Sequence, residues 1–82
     1  MVIVMLDNNF DLYEAIAKNI KKWRKIRGIT QAELAERVGL SHEFIRRIES
    51  KKGVKTFSVE TLYKISIALD INISELFNFE NK

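Results

Sequence analysis

Five side chains within one six-residue run carry most of the recognition chemistry open to this chain: His42, Glu43, Phe44, Arg46 and Arg47. They make no nucleophile–base pair, and they suit non-covalent reading. An arginine can grip the O6 and N7 of a guanine together, a carboxylate can accept from the N4 of a cytosine, and an aromatic ring can lie against a thymine methyl. An imidazole can donate or accept. Plainer uses exist for each: phosphate contact for the arginines, a helix-dipole partner for Glu43, half-buried packing for Phe44. Lys51 and Lys52 follow at once and Lys55 soon after. Such ammonium groups suit phosphates, which set register without reading sequence.

Other chemistries have little to work with. The chain has one histidine and no cysteine, so disulfides and thiolate metal sites are excluded. Ser41 and His42 are adjacent at the start of a predicted helix and would point different ways. No metal-ligand cluster and no glycine-rich phosphate loop stands in the sequence. The expectation is no catalytic residue, no metal, no cofactor and no small-molecule substrate. The longest apolar run, Met1 to Leu6, is far short of the roughly 20 residues a bilayer needs. No basic segment precedes it and no small-residue cleavage site follows, so it does not read as a signal peptide. A cytoplasmic protein without a membrane partner is expected.

Charge is unevenly placed along the 82 residues, whose net charge is +3. Residues 1–17 hold three acids and no base, residues 18–55 hold twelve Lys and Arg against four acids, and residues 56–82 hold two bases against four acids. A basic middle between acidic flanks is the footprint of a phosphate-binding face, or simply of a solvated basic surface.

The elements that must position these groups are helices. Leu12, Ile16, Ile20 and Trp23 repeat at helical spacing and predict a helix from about Asp11 to Arg27, stopped by Gly28. Thr30-Gln-Ala-Glu33 has the form of a capping box and opens a second helix, with Leu34 and Val38 one turn apart and Gly39 closing it. Ser41 is the N-cap of a third helix, His42 to about Ser50, in which Ile45 and Ile48 face inward. Its five reading candidates must therefore face outward or sideways. Ser58 caps a fourth helix with Leu62, Ile65 and Leu69 on its buried face, and Asn72-Ile-Ser-Glu75 opens a short fifth. With 46% hydrophobic residues and no proline, this gives an all-α domain of five helices over residues 11–82. Residues 1–10 form an apolar N-terminal arm ahead of it, which reads as a short strand, an arm against another subunit, or an unstructured start.

From Ile16 to about Phe77 the chain resembles the phage-repressor-like helix-turn-helix family, of the Cro/XRE type. Arg24, the Gly28-Ile-Thr-Gln31 entry, Leu34-Ala35, Gly39, Ser41, Ile45 and Glu49 fall in register, as do Ser58, Thr61-Leu62, Ile65 and Ala68-Leu69. Family members of this size include restriction–modification controllers and small phage repressors. The resemblance implies a five-helix domain, no cofactor, and a transcriptional regulator that lays the 42–50 helix in the major groove of double-stranded DNA. It also implies that Gln31 donates to a DNA phosphate, and that Arg24 and Glu49 form an internal ion pair. The DNA-binding set is then Gln31, Ser41, His42, Glu43, Phe44, Arg46, Arg47, Lys51 and Lys52. The first ten residues depart from the family core.

One such unit reads too few base pairs for genomic specificity. A homodimer on an operator of two related half-sites is expected, with Val59, Tyr63, Ile67, Ile73 and Phe79 as its apolar face, unless these only complete the core. The alternative is an antitoxin-like or anti-repressor module that uses the same fold to bind protein.

Overall fold

The computed structural model describes residues 11–50 and 56–79. The arm expected over residues 1–10 lies outside them, as do Lys51, Lys52 and Lys55. Four α-helices run in order: α1 (Leu12–Ile26), α2 (Gln31–Val38), α3 (His42–Glu49) and α4 (Val59–Ala68). A single 3-10 helix, Ile73–Phe77, follows. No strand occurs among the described residues.

Each helix begins on a side-chain cap foreseen from its residue type or close to it. Asp11 Oδ1 accepts from the Glu14 N–H at 3.1 Å. Ser41 Oγ accepts from the Phe44 N–H at 3.0 Å, and Ser58 Oγ from the Thr61 N–H at 3.1 Å. The capping box of α2 is complete: the Glu33 N–H donates to Thr30 Oγ1 at 3.0 Å, and the Thr30 N–H to Glu33 Oε1 at 2.8 Å. Each cap contributes about 1 kcal/mol by satisfying a donor that the helix leaves orphaned.

Three helices also end alike. At α1, α2 and α4 the chain turns through one left-handed residue and closes with paired backbone bonds, the Schellman pattern. At α2 the Leu40 N–H donates to the Ala35 carbonyl at 2.9 Å and the Gly39 N–H to that of Glu36 at 3.2 Å. At α4 the Ile71 N–H reaches the Ser66 carbonyl and the Asp70 N–H that of Ile67, both at 3.0 Å. Glycines fill this position after α1 and α2, with φ of 72° and 83°, but after α4 it is Asp70, with φ of 58°.

The core is one apolar cluster. Ile16 and Ile20 of α1, Leu34 of α2, Ile45 of α3, Ile65 and Leu69 around α4, and Leu76 are all sealed from solvent. Burying each such side chain contributes about 1.5–3 kcal/mol. Trp23, Val38, Phe44 and Phe57 pack on this cluster while half-buried.

Three expectations need correction. The fifth helix is a 3-10 turn and not an α-helix: Asn72 Oδ1 accepts from the Ser74 N–H at 2.9 Å, and the Glu75 N–H donates to the Asn72 carbonyl at 2.9 Å. At five residues the segment is too short for a stable α-helical nucleus. Asn19 of α1 holds it, donating from Nδ2 to the carbonyls of Leu76 at 2.9 Å and Asn78 at 3.2 Å. Leu12 does not join the buried stripe; it is 42% exposed. The presumed apolar face of the C-terminal third divides, since Ile73 and Phe79 pack on the core whereas Val59, Tyr63 and Ile67 stay exposed.

Candidate nucleic-acid interface

The α2–α3 unit is built from a short link. Gly39 ends α2, Leu40 is half-buried, and Ser41 starts α3, so two residues separate the left-handed turn from the next helix. Ile45 and Ile48 anchor α3 in the core at 0% and 4% exposure. The opposite side carries Glu43, Arg46 and Arg47, all exposed, with His42 exposed at the first position. Phe44, half-buried, packs against the core and supports the helix.

Behind this face lies a buried polar junction. The Glu49 carboxylate is 1% exposed. Arg24 of α1 binds it through two donors, Nε to Oε2 at 2.7 Å and Nη2 to Oε1 at 3.0 Å, while its Nη1 donates to the Ile29 carbonyl at 2.8 Å. Gln31 adds a third donor to the carboxylate, Nε2 to Oε1 at 3.0 Å, and its Oε1 lies 3.4 Å from His42 Nε2. A buried carboxylate costs much free energy unless hydrogen-bonded and paired. Here three donors from two other helices satisfy it, which fixes how α3 sits against α1 and α2.

On the exposed face, Glu43 and Arg46 pair with each other one turn apart. The Arg46 guanidinium, through its hydrogen bond and its charge, lowers the Glu43 pKa from its ordinary 4.5. Arg47 forms no hydrogen bond or ion pair among the described residues, so it is the guanidinium of α3 available to a ligand.

Not every base of the positive middle faces outward to a ligand. Arg27 donates from Nε to the Leu69 carbonyl at 2.7 Å and from Nη2 to the Asp70 carbonyl at 2.9 Å. Arg37 Nη1 reaches the Ala68 carbonyl at 3.4 Å. Both guanidiniums thus satisfy the carbonyl end of α4, and Arg27 also stacks on the Trp23 ring, 5.3 Å from its centroid. Only their charge is legible without the fold; Gly28 and Gly39 nearby mark chain reversals but not what the arginines reach. Lys18, Lys21, Lys22 and Lys25 on α1 are exposed. No group of side chains suited to a metal ion occurs among the described residues. No helix among them is long and apolar enough to cross a membrane.

This geometry has counterparts. The family model described as Helix-turn-helix matches residues 20–76. The chain belongs to the helix-turn-helix family. Among curated relatives, the HTH-type transcriptional regulator SinR of Bacillus licheniformis is 33% identical over 63 residues, covering 77% of this chain and 56% of SinR. The chain therefore aligns with little more than half of that regulator. The crystal structure of the restriction–modification controller protein C.AhdI from Aeromonas hydrophila superposes with a TM-score of 0.72 at 28% identity, covering 79% of this chain and 96% of the controller. The structure of SinR in complex with DNA superposes with a TM-score of 0.68 at 32% identity, covering 77% of this chain and 98% of that one.

Proposed function

We propose that this helix-turn-helix protein is a sequence-specific regulator of transcription that binds double-stranded DNA as a cytoplasmic homodimer, with α3 in the major groove. The observation that carries the reading is α3 itself. Its inner face is sealed into the core, its outer face presents His42, Glu43, Arg46 and Arg47, and the Arg24–Glu49–Gln31 junction holds it at a fixed angle. The likeness to a DNA-bound SinR supports the placement.

A mechanism follows. Exposed lysines of α1 gather the polyanion, and the lysines after α3 hold its backbone. Ser41 and Gln31, at the starts of α3 and α2, lie beside helix N-termini that favour a phosphate. Arg47 reads a guanine edge. Glu43, already paired with Arg46, is a specificity residue: its carboxylate keeps lone pairs that can accept from a cytosine, and it repels the acceptor edge of a guanine. Two copies joined through Val59, Tyr63 and Ile67 of α4, which are 72%, 55% and 59% exposed, would address related half-sites about 34–36 Å apart. The same α4 face also favours a second reading, in which a different protein docks there and DNA binding is secondary.

Arg47→Ala should weaken binding to the selected operator by about 1–3 kcal/mol and affect random duplex much less. Lys52→Ala should weaken both alike and reduce the salt slope by about one phosphate's worth. Titration of both variants at several salt concentrations checks this; if neither change alters binding to any duplex, the regulator reading is wrong.

A further inference from the structure

Gln31 touches both ends of the recognition helix. His42 and Glu49 are two turns apart and so share one face of α3, and the Gln31 amide lies against both. Its orientation is dictated by chemistry. The Glu49 carboxylate, ion-paired to Arg24, only accepts hydrogen bonds, so the amide must turn its NH2 toward it. A flipped amide would set two oxygen acceptors together in a buried place. The amide oxygen is thereby committed to His42 Nε2, 3.4 Å away. An oxygen facing a ring nitrogen is satisfied only when that nitrogen carries a proton.

We propose that Gln31 is a positioning residue that holds His42 as the Nε2–H tautomer, so that the neutral ring offers Nδ1 to DNA as a hydrogen-bond acceptor. This rests on the DNA-binding reading above. Nδ1 has no protein partner among the described residues, and His42 is exposed at the first position of α3. An acceptor there selects a base with an exocyclic amino group in the major groove, the N6 of adenine or the N4 of cytosine. Guanine O6 and N7 and thymine O4 offer it no donor.

General phosphate attraction affects matched and mismatched duplexes alike and cancels in their ratio.

Two measurements test this. In the free protein, long-range proton–nitrogen NMR correlations of the imidazole should show the Nε2–H tautomer alone at pH 8, and Gln31→Met should raise the Nδ1–H share; a share unchanged by Gln31→Met overturns the proposal. A dominant Nδ1–H form in the unaltered protein overturns the proposal without involving DNA. Next, duplexes are selected from a random library at pH 7.5 with the unaltered protein and with His42→Ala, and the base pair whose preference vanishes is identified. That pair should present adenine or cytosine to α3, and the selected base itself tells the two apart. The preference should be about fivefold, the scale of one neutral hydrogen bond. It should fall toward one in Gln31→Met at pH 7.5, further than any preference at another position. Guanine or thymine at that pair, or a ratio indifferent to Gln31, overturns the proposal. Failure to select any duplex overturns the regulator reading instead, while the NMR result still decides the tautomer.

Discussion

The junction behind α3 and the outer face of α4 handle their side chains in opposite ways. At the junction, Arg24, Glu49 and Gln31 are drawn from three helices and satisfy one another around a carboxylate that is 1% exposed. On α4, Val59, Tyr63 and Ile67 recur every fourth residue and stand in solvent, bordered by the loosely held Glu60–Lys64 pair at 3.5 Å. Polar groups are finished within the chain where orientation matters, and apolar groups are left unfinished where a second surface can complete them. On the proposed reading, a helix that reads base edges needs a fixed angle, which hydrogen bonds supply, and a surface that associates needs apolar area, which only burial rewards.

The contrast can be broken at either end. Glu49→Ala should have the largest effect, destabilising the fold by about 3–5 kcal/mol, because it strands the Arg24 guanidinium and the Gln31 amide in a buried site. Urea unfolding followed by circular dichroism measures it, and a loss below about 1 kcal/mol would show that the junction orients α3 without stabilising the domain. Tyr63→Ala should barely change the stability of the single chain but weaken self-association by about 2 kcal/mol, roughly 30-fold in the dissociation constant. Sedimentation velocity over a concentration series decides this, and an unchanged association state would remove α4 from the proposed dimer.

Two smaller effects sharpen the picture. Asp70→Gly should stabilise the protein by about 1 kcal/mol, since a left-handed residue with a Cβ costs about 1–2 kcal/mol and the greater unfolded-state entropy of glycine cancels part of the gain. The rise in thermal midpoint checks it, with DNA binding unchanged. Glu43 should titrate below 4.5 in carboxyl-carbon NMR, and Arg46→Ala should bring it back up. Its folded-state pKa is depressed, so the pair's contribution is present above pH 4.5 and is lost as pH falls through the lowered value.

Much of the scaffold was legible in the sequence because its signals are local. A threonine three residues before a glutamate announces its own cap, and Ile16, Ile20 and Leu34 announce their burial by period. The Arg24–Glu49 pair was legible only through family resemblance, since 25 residues separate the partners. What stayed hidden depends on geometry that no local pattern encodes. Arg27 and Arg37 look like any solvated base until the end of α4 comes within their reach. Asn19 shows no sign that two carbonyls of the 3-10 segment will meet its amide. Asp70 takes a left-handed turn that residue type would assign to glycine. In the recognition set, Phe44 offered a base contact and a packing role equally, and the structure places it against the core. Gln31, expected at a phosphate, has its amide directed to Glu49 and His42.

The two arginines on the end of α4 have a mechanical meaning. Arg27 reaches it from the end of α1 and Arg37 from α2, so one element is pinned by both of the helices that frame α3. Through α1 and α2, α3 and the apolar face of α4 are thus tied to one frame. A dimer closed along α4 would behave as a ruler, its span set by bonded distances within each subunit and not by a flexible tether. Such a ruler tolerates a changed base far better than a changed length. One base pair inserted between half-sites displaces the second by about 3.4 Å and turns it about 34° around the duplex axis, a mismatch that only bending of the DNA could absorb.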